Sequence, residues 1–279
     1  MVRFIALLFL LSAFPAFSQD TIPSRWEISF SAGFSSAIGP YKKNVSDWGK
    51  PPFQVGFLHY DQLQKRGNAA AKSGNFYQVG VNYRMLKGLG FWSAYRYSNN
   101  GFDPSGFAKL LKDQRSNPLL PVTSLPITNG GSDNLIFPFE FDGTTFRFVH
   151  KDYQIHHLLV GYSYTFGLDK KLSFSWKQGL GYGNLSNLDY EVIVPTRVPS
   201  KFVHQPLKNN SSAFLIHGGA SVRLKLGSQV LWSIDLDYMH GNFPFEQKIT
   251  YAPRSLEVII DDSVNLRTWN LGSSLIFKW

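Results

Sequence analysis

The chain of 279 residues carries 28 Lys and Arg against 19 Asp and Glu, a formal net charge of +9, and no cysteine. The missing cysteines exclude disulfides and thiolate metal sites. Aromatic residues reach 16% and glycine 24 residues, while charged residues make up only 17%; soluble domains carry more charge, whereas a barrel with one face in lipid suits this balance.

The N-terminus reads as an export signal. Arg3 is basic, Phe4 to Phe14 is apolar but short, and Ala16-Phe17-Ser18 offers small residues before Gln19. Residues 1–18 are therefore expected to be a signal peptide and 19–279 a single outer-membrane β-barrel domain. No cysteine follows the apolar stretch, so a lipoprotein anchor is not expected. No later stretch is long and apolar enough for a transmembrane helix.

Read with a period of two, the rest resolves into eight segments of roughly membrane-crossing length. The first, Trp26 to Phe34, sets Trp26, Ile28, Phe30, Ala32 and Phe34 against Glu27, Ser29, Ser31 and Gly33. In the second, Phe76 to Leu86, Tyr77, Val79, Val81, Tyr83 and Met85 oppose Gln78, Gly80, Asn82 and Arg84. The third, Leu89 to Tyr97, opposes Phe91, Tyr95 and Tyr97 to Gly90, Ala94 and Arg96. In the fourth, His156, Leu158, Val160, Tyr162, Tyr164 and Phe166 alternate with His157, Leu159, Gly161, Ser163 and Thr165.

The fifth places Leu172, Phe174, Trp176, Leu180 and Tyr182 opposite Ser173, Ser175, Lys177, Gly179 and Gly181. The sixth has Phe214, Ile216, Ala220, Val222 and Leu224 against His217, Gly219, Ser221 and Arg223. The seventh has Val230, Trp232, Ile234, Leu236 and Tyr238 against Ser233, Asp235 and Asp237, and the eighth has Trp269, Leu271, Leu275, Phe277 and Trp279 against Thr268, Asn270, Gly272 and Ser274. Trp92 and Gln178 each fall on the face where the pattern does not want them, so the register there is either bulged or misread.

Connections alternate in length. Tight glycine-containing turns lie at Lys87-Gly88, Gly167 to Lys171 and Gly227-Ser228. Long links cover Ser35 to Asn75, Ser98 to Asp152, Asn184 to Ser211 and Gly241 to Ser263. Short turns at one end and long loops at the other predict an all-β fold: an eight-stranded, up-and-down antiparallel transmembrane barrel with short periplasmic turns and long extracellular loops. Inside the long links, IFPFEF-DG-TTFRFV reads as a hairpin turning at Asp142-Gly143, and EQKITY with SLEVII as another around Ala252-Pro253-Arg254.

The last segment, LGSSLIFKW, keeps Leu271, Leu275, Phe277 and Trp279 in one phase and resembles the terminal aromatic signal read by the barrel-assembly machinery. With this segment, the eight strands and the export signal, the chain resembles the small outer-membrane barrels grouped with the OmpA membrane domain and OmpX. The resemblance implies residence in a bacterial outer membrane, among its lipids and lipopolysaccharide. OmpA-type peptidoglycan anchoring does not carry over, since the last strand runs to Trp279.

The inward face is expected to carry Glu27, Arg84, Arg96, His157, Lys177, His217, Arg223, Asp235 and Asp237. Buried opposite charges must pair, so these residues read as a structural plug, with a narrow small-solute channel as the alternative. His156 and His157 are adjacent and point to opposite faces, so they cannot share a metal; no metal or cofactor is expected. A lipid A-modifying hydrolase is the enzymatic alternative, but His240-Gly241-Asn242 lacks the serine of the deacylase pattern. A Ser–His pair assembled by folding stays open.

Net positive charge on an exported membrane protein is no nucleic-acid signal. Lys42, Lys43, Lys50, Lys65, Arg66 and Lys72 gather in or beside the first long link, where contact with lipopolysaccharide phosphates and a merely solvated loop are both open readings. The expected function is a non-enzymatic barrel whose extracellular hairpins act in surface binding, a protein partner at the loops being one option, or which serves as an accessory of an envelope complex as some secretion-system barrels do.

Overall fold

The computed structural model describes residues 25–43, 69–103, 139–141, 144–168, 170–186, 190–195, 201–252 and 256–279. The expected signal peptide, residues 1–18, lies outside them, as do Lys50, Lys65 and Arg66.

Eight long strands close into a barrel: β1 (Trp26–Ala37), β2 (Ala71–Arg84), β3 (Leu89–Phe102), β6 (Tyr153–Phe166), β7 (Leu172–Ser186), β10 (Asn210–Lys225), β11 (Val230–Ala252) and β12 (Leu256–Lys278). All neighbours are antiparallel. The seam is β1 against β12, from Glu27↔Lys278 to Ala37↔Thr268. Beyond it the termini exchange two more bonds, Trp26 N–H to Trp279 O at 3.3 Å and the reverse at 3.2 Å. A closed barrel leaves no unpaired backbone in lipid, the condition for spanning a membrane with strands.

The predicted alternation holds on every strand. Phe34 (70% exposed), Leu158 (61%), Leu180 (64%) and Phe214 (85%) turn outward, whereas Leu159, Ile155 and Leu185 are wholly buried. Aromatic rings gather at the two rims of the apolar wall. Trp26 and Tyr83 lie 4.7 Å apart near the short turns, and Tyr238 and Trp269 lie 5.2 Å apart toward the other end, as interfacial girdles do. Gly88 and Gly167 take the positive φ of +85° and +71° that the tight turns demand.

Two expectations need correction. The pairing runs without interruption through Trp92 (Asn82↔Trp92↔Gly161) and Gln178 (Tyr162↔Gln178↔Gly218), so neither residue marks a bulge. Trp92 is buried inside because Gly179 leaves room; a Cβ there would come within 3.0 Å of the indole. The actual register shift lies between Ala71 and Gly74.

The long links also contain more strand than their predicted limits allow. β2 begins at Ala71 and β3 ends at Phe102. β11 and β12 continue as one ladder to Tyr251↔Leu256, well past the expected break at Gly241. Four short strands add to this extension: β4 (Phe139–Phe141), β5 (Thr144–His150), β8 (Tyr190–Pro195) and β9 (Lys201–Pro206). β4 and β5 pair as Phe141↔Thr144, while the expected turn residues Asp142 and Gly143 lie outside the described residues. The β8–β9 hairpin has no counterpart in the sequence reading. β9 joins the far half of β11, and β5 joins β8. One sheet thus runs from the barrel wall into the projection, with β11 shared between them.

Candidate functional site

The barrel interior is filled in tiers. Nearest the short turns, Glu27 is 2% exposed and sits between two guanidinium groups. It pairs with Arg84 and, at 3.2 Å, with Arg223 Nη1, while Asn82 Nδ2 donates to it at 3.1 Å. Ser163 Oγ then donates to Asn82 Oδ1 at 2.9 Å, which carries the network to a fourth strand.

The middle tier centres on Arg96, 1% exposed. Its guanidinium pairs with Asp237, donates through Nε to Gln78 Oε1 at 2.7 Å, and lies 4.5 Å from the centroid of the Phe76 ring. His217 Nε2 is 3.5 Å from Asp237 Oδ1, and its ring meets Trp92 edge-on at 5.1 Å. Trp92 Nε1 donates to the Tyr162 carbonyl at 3.0 Å, so the buried indole keeps a partner.

The nine predicted interior residues all face inward, but they do not form one network. Glu27, Arg84 and Arg223 make the lower cluster; Arg96, Asp237 and His217 make the middle one. Asp235 takes its hydrogen bonds from Ser233 and Ser274 hydroxyls instead of from a cation. Lys177 borders two small voids of the interior and stands outside both clusters. His157 shares a 2.8 Å hydrogen bond with Ser98 Oγ.

Above these tiers an apolar cluster fills most of the lumen, beside the buried, mutually bonded Ser35 and Asn100. Ile155, Leu159, Leu185, Leu215, Met239, Phe243, Val264 and Leu266 pack together with Tyr41 and Tyr153. The sequence reading missed this cap because it treated inward positions as the polar face. The available signal was Leu159, an apolar residue in the inward phase, repeated in Leu185, Leu215 and Met239 on neighbouring strands. The two voids beneath hold only about 20 Å³ and about 10 Å³, room for roughly one water each.

Neither histidine candidate for catalysis is set up for hydrolysis. Ser98 and His157 are 5% and 1% exposed within the lumen, away from lipid and solvent, and His157 Nδ1 has no orienting acceptor. His240 faces outward and its Nδ1 lies 3.1 Å from the Leu266 carbonyl. His156, on the outer wall, bonds the Tyr95 hydroxyl at 2.6 Å. Among the described residues no group of three potential metal ligands comes together.

At the long-loop end a short helical turn, α1 (Gly39–Lys42), folds back over the barrel mouth. Tyr41 is fully buried in the apolar cap, 5.8 Å from the Tyr153 ring, and burial pushes its phenol well above the ordinary range, keeping it neutral. Tyr153 Oη donates to the Ala69 carbonyl at 2.8 Å. The turn is thus stitched to the strands on which the projection stands.

A closed antiparallel barrel with an apolar outer wall, two aromatic rims and a buried polar lumen is an integral membrane β-barrel of the outer-membrane type. No family model matches the sequence, and no curated protein matches it. Among solved structures, the chain is similar to the Neisserial surface protein A, at 11% identity and a TM-score of 0.41, covering 91% of this chain and 97% of that one. It is similar to Ail, the attachment invasion locus protein of Yersinia pestis, at 11% identity and a TM-score of 0.37, covering 92% and 100%. The outer membrane protein OprG from Pseudomonas aeruginosa gives 12% identity and a TM-score of 0.41, covering 92% and 98%.

Proposed function

We propose that this protein is a non-conducting, non-enzymatic outer-membrane anchor that presents a rigid extracellular β-sheet as a binding surface. The observation that carries the reading is the continuity of β11 and β12. Each is 23 residues long, about twice what a tilted strand needs to cross the bilayer. The surplus of roughly a dozen residues, at about 3.3 Å each, raises the hairpin some 40 Å along the strand direction. β9, β8 and β5 widen it into a sheet. Hydrogen-bonded extension of this kind holds a binding face in place at little entropic cost, whereas a loose loop would have to be ordered on binding.

The lumen supports the non-conducting part of the reading, being filled by ion pairs below and by apolar side chains above. The buried Ser98–His157 pair, with no acceptor at Nδ1, supports the non-enzymatic part.

The test is cross-linking in intact cells with mass spectrometry, comparing the native chain with one whose β11–β12 hairpin is cut from Phe245 to Asp262 and replaced by a two-residue turn. A protein or lipopolysaccharide adduct mapped to the projection and lost on shortening supports the reading. Steady single-channel current in planar bilayers, or lipid A of altered mass on expression, would sink it.

A further inference from the structure

Between α1, the first residues of β2 and the end of β3 lies an open groove of about 450 Å³, within the size range of small-ligand sites. Its lining is Gly39, Lys42, Lys43, Ala71, Lys72, Ser73 and Asp103. Three ammonium groups face one carboxylate there. Lys42, Lys43, Lys72 and Ser73 are all exposed, so among the described residues the groove is electropositive.

The frame that holds the lysines is unusually determined for a surface loop. Gly39 takes φ +56°, and Lys43 N–H closes the turn onto the Gly39 carbonyl at 2.9 Å. Ala70 sits at φ +49°, a conformation that costs a non-glycine residue of order 1 kcal/mol. It is held by three hydrogen-bonded ties: Ala70 N–H to the Lys43 carbonyl (3.1 Å), Asp103 N–H to the Ala70 carbonyl (2.8 Å) and, one residue earlier, Ala69 N–H to the Pro40 carbonyl (3.2 Å). Tyr41 drives the whole turn into the apolar cap. The backbone of the groove is therefore preorganised, and strain persists where surrounding structure over-determines it. None of this is needed to close the barrel, whose ladder is complete without it.

We infer that this groove binds an anionic saccharide, its phosphate or sulfate groups met by Lys42, Lys43 and Lys72 and its ring seated over the exposed Gly39 and Ser73. Three point charges spread around a groove suit a ligand with several anionic groups better than a single small ion. The exposed Ser73 hydroxyl offers a partner for the sugar's hydroxyls. The inference rests on the extracellular end being the binding end, but it concerns the base of the projection and not its sheet. The saccharide can come from a soluble sulfated glycan or from the phosphorylated core of lipopolysaccharide in the same membrane.

The full chain, inserted in phosphatidylcholine nanodiscs, is titrated with a fluorescent sulfated tetrasaccharide at low salt and followed by anisotropy. The K42Q/K43Q/K72Q variant is expected to bind at least about tenfold more weakly, the scale of three screened ion pairs. S73W, which fills the groove without changing charge, is expected to lose binding to a similar degree. K151Q/K208Q, which removes charge elsewhere on the surface, is expected to stay within about twofold. The same titration in nanodiscs carrying lipopolysaccharide separates the sources: suppressed tetrasaccharide binding identifies the lipid core as occupant, and unchanged binding identifies the soluble glycan. Each variant is first shown to retain the gel shift of a folded barrel.

The hairpin-shortened chain should bind the tetrasaccharide as the native chain does. If it does and cross-links at the projection are absent, the sheet-binding reading fails and the groove stands. Absence of binding by the native chain to both tetrasaccharide and lipopolysaccharide overturns the inference. So does an equal loss in K42Q/K43Q/K72Q and K151Q/K208Q, or full binding by S73W.

Discussion

Glu27→Gln is the sharpest probe of how the lumen is held together. The substitution keeps the shape and can still accept from Asn82, but removes the charge shared by Arg84 and Arg223, both of them about as buried as Glu27 itself. Two guanidinium groups then face each other in a lumen with little room for water. Breaking one buried pair costs about 3–5 kcal/mol because the remaining charge is left uncompensated. Here one change orphans two cations, and small side-chain shifts relieve part of the cost, so a loss of about 4 kcal/mol is expected. With a urea slope near 2 kcal/mol per molar, the unfolding midpoint of the barrel in vesicles should fall by about 2 M, read by tryptophan fluorescence and by the boiled-against-unboiled gel shift. Adding Arg223→Met should recover part of that loss, giving a coupling of about 1–3 kcal/mol in the double-mutant cycle. A midpoint shift no larger than that of Ser29→Ala, with no coupling to Arg223, would refute the view that the lower ion cluster stabilises the barrel.

Gly161→Val should abolish folding into the gel-shifted form, because its Cβ would meet the Gln178 carbonyl oxygen at 2.0 Å, whereas Gly218→Ala, with nothing within 4 Å, should behave as wild type. Trp92→Ala removes a 4%-exposed ring at the centre of the lumen and should cost about 3–5 kcal/mol in the same urea assay. Removal of Trp279 deletes the pair of backbone bonds with Trp26 at the seam and should slow membrane insertion several-fold, measured as the rate at which the gel-shifted band forms in vesicles.

The parts of this fold visible in the sequence are those governed by a period of two. Outward residues such as Phe30, Leu158, Tyr162 and Leu271 face a uniform apolar solvent, so lipid selects them one by one and the pattern is local. Inward residues answer to partners far along the chain. Arg96 is legible as an inward cation, but its match with Asp237, 141 residues away, depends on how far round the barrel each strand is staggered. The same holds for Trp92, whose place depends on Gly179 on β7, two strands away. A buried indole and an apolar cap look like errors of register until the neighbouring glycines and leucines are set beside them. The frame of the basic groove was least legible, since the φ +49° of Ala70 leaves no mark in composition. Only the cluster Lys42, Lys43 and Lys72 hinted at it.

The division of labour between lumen and projection follows from β11. Its lower half is bonded to β10 and β12 and its upper half to β9 and β12, so barrel and projection share one uninterrupted strand. A force or ligand acting on the upper sheet is therefore transmitted to the wall through backbone hydrogen bonds and not through a hinge. Such a load would open a hollow barrel; it does not open one whose lumen is cross-braced by Glu27 between Arg84 and Arg223, and by Arg96 against Asp237. On this argument the ion pairs serve the projection as much as the barrel. If the projection binds as proposed, loosening them with Glu27→Gln should lower the cross-linking yield at the projection at urea concentrations below the unfolding midpoint.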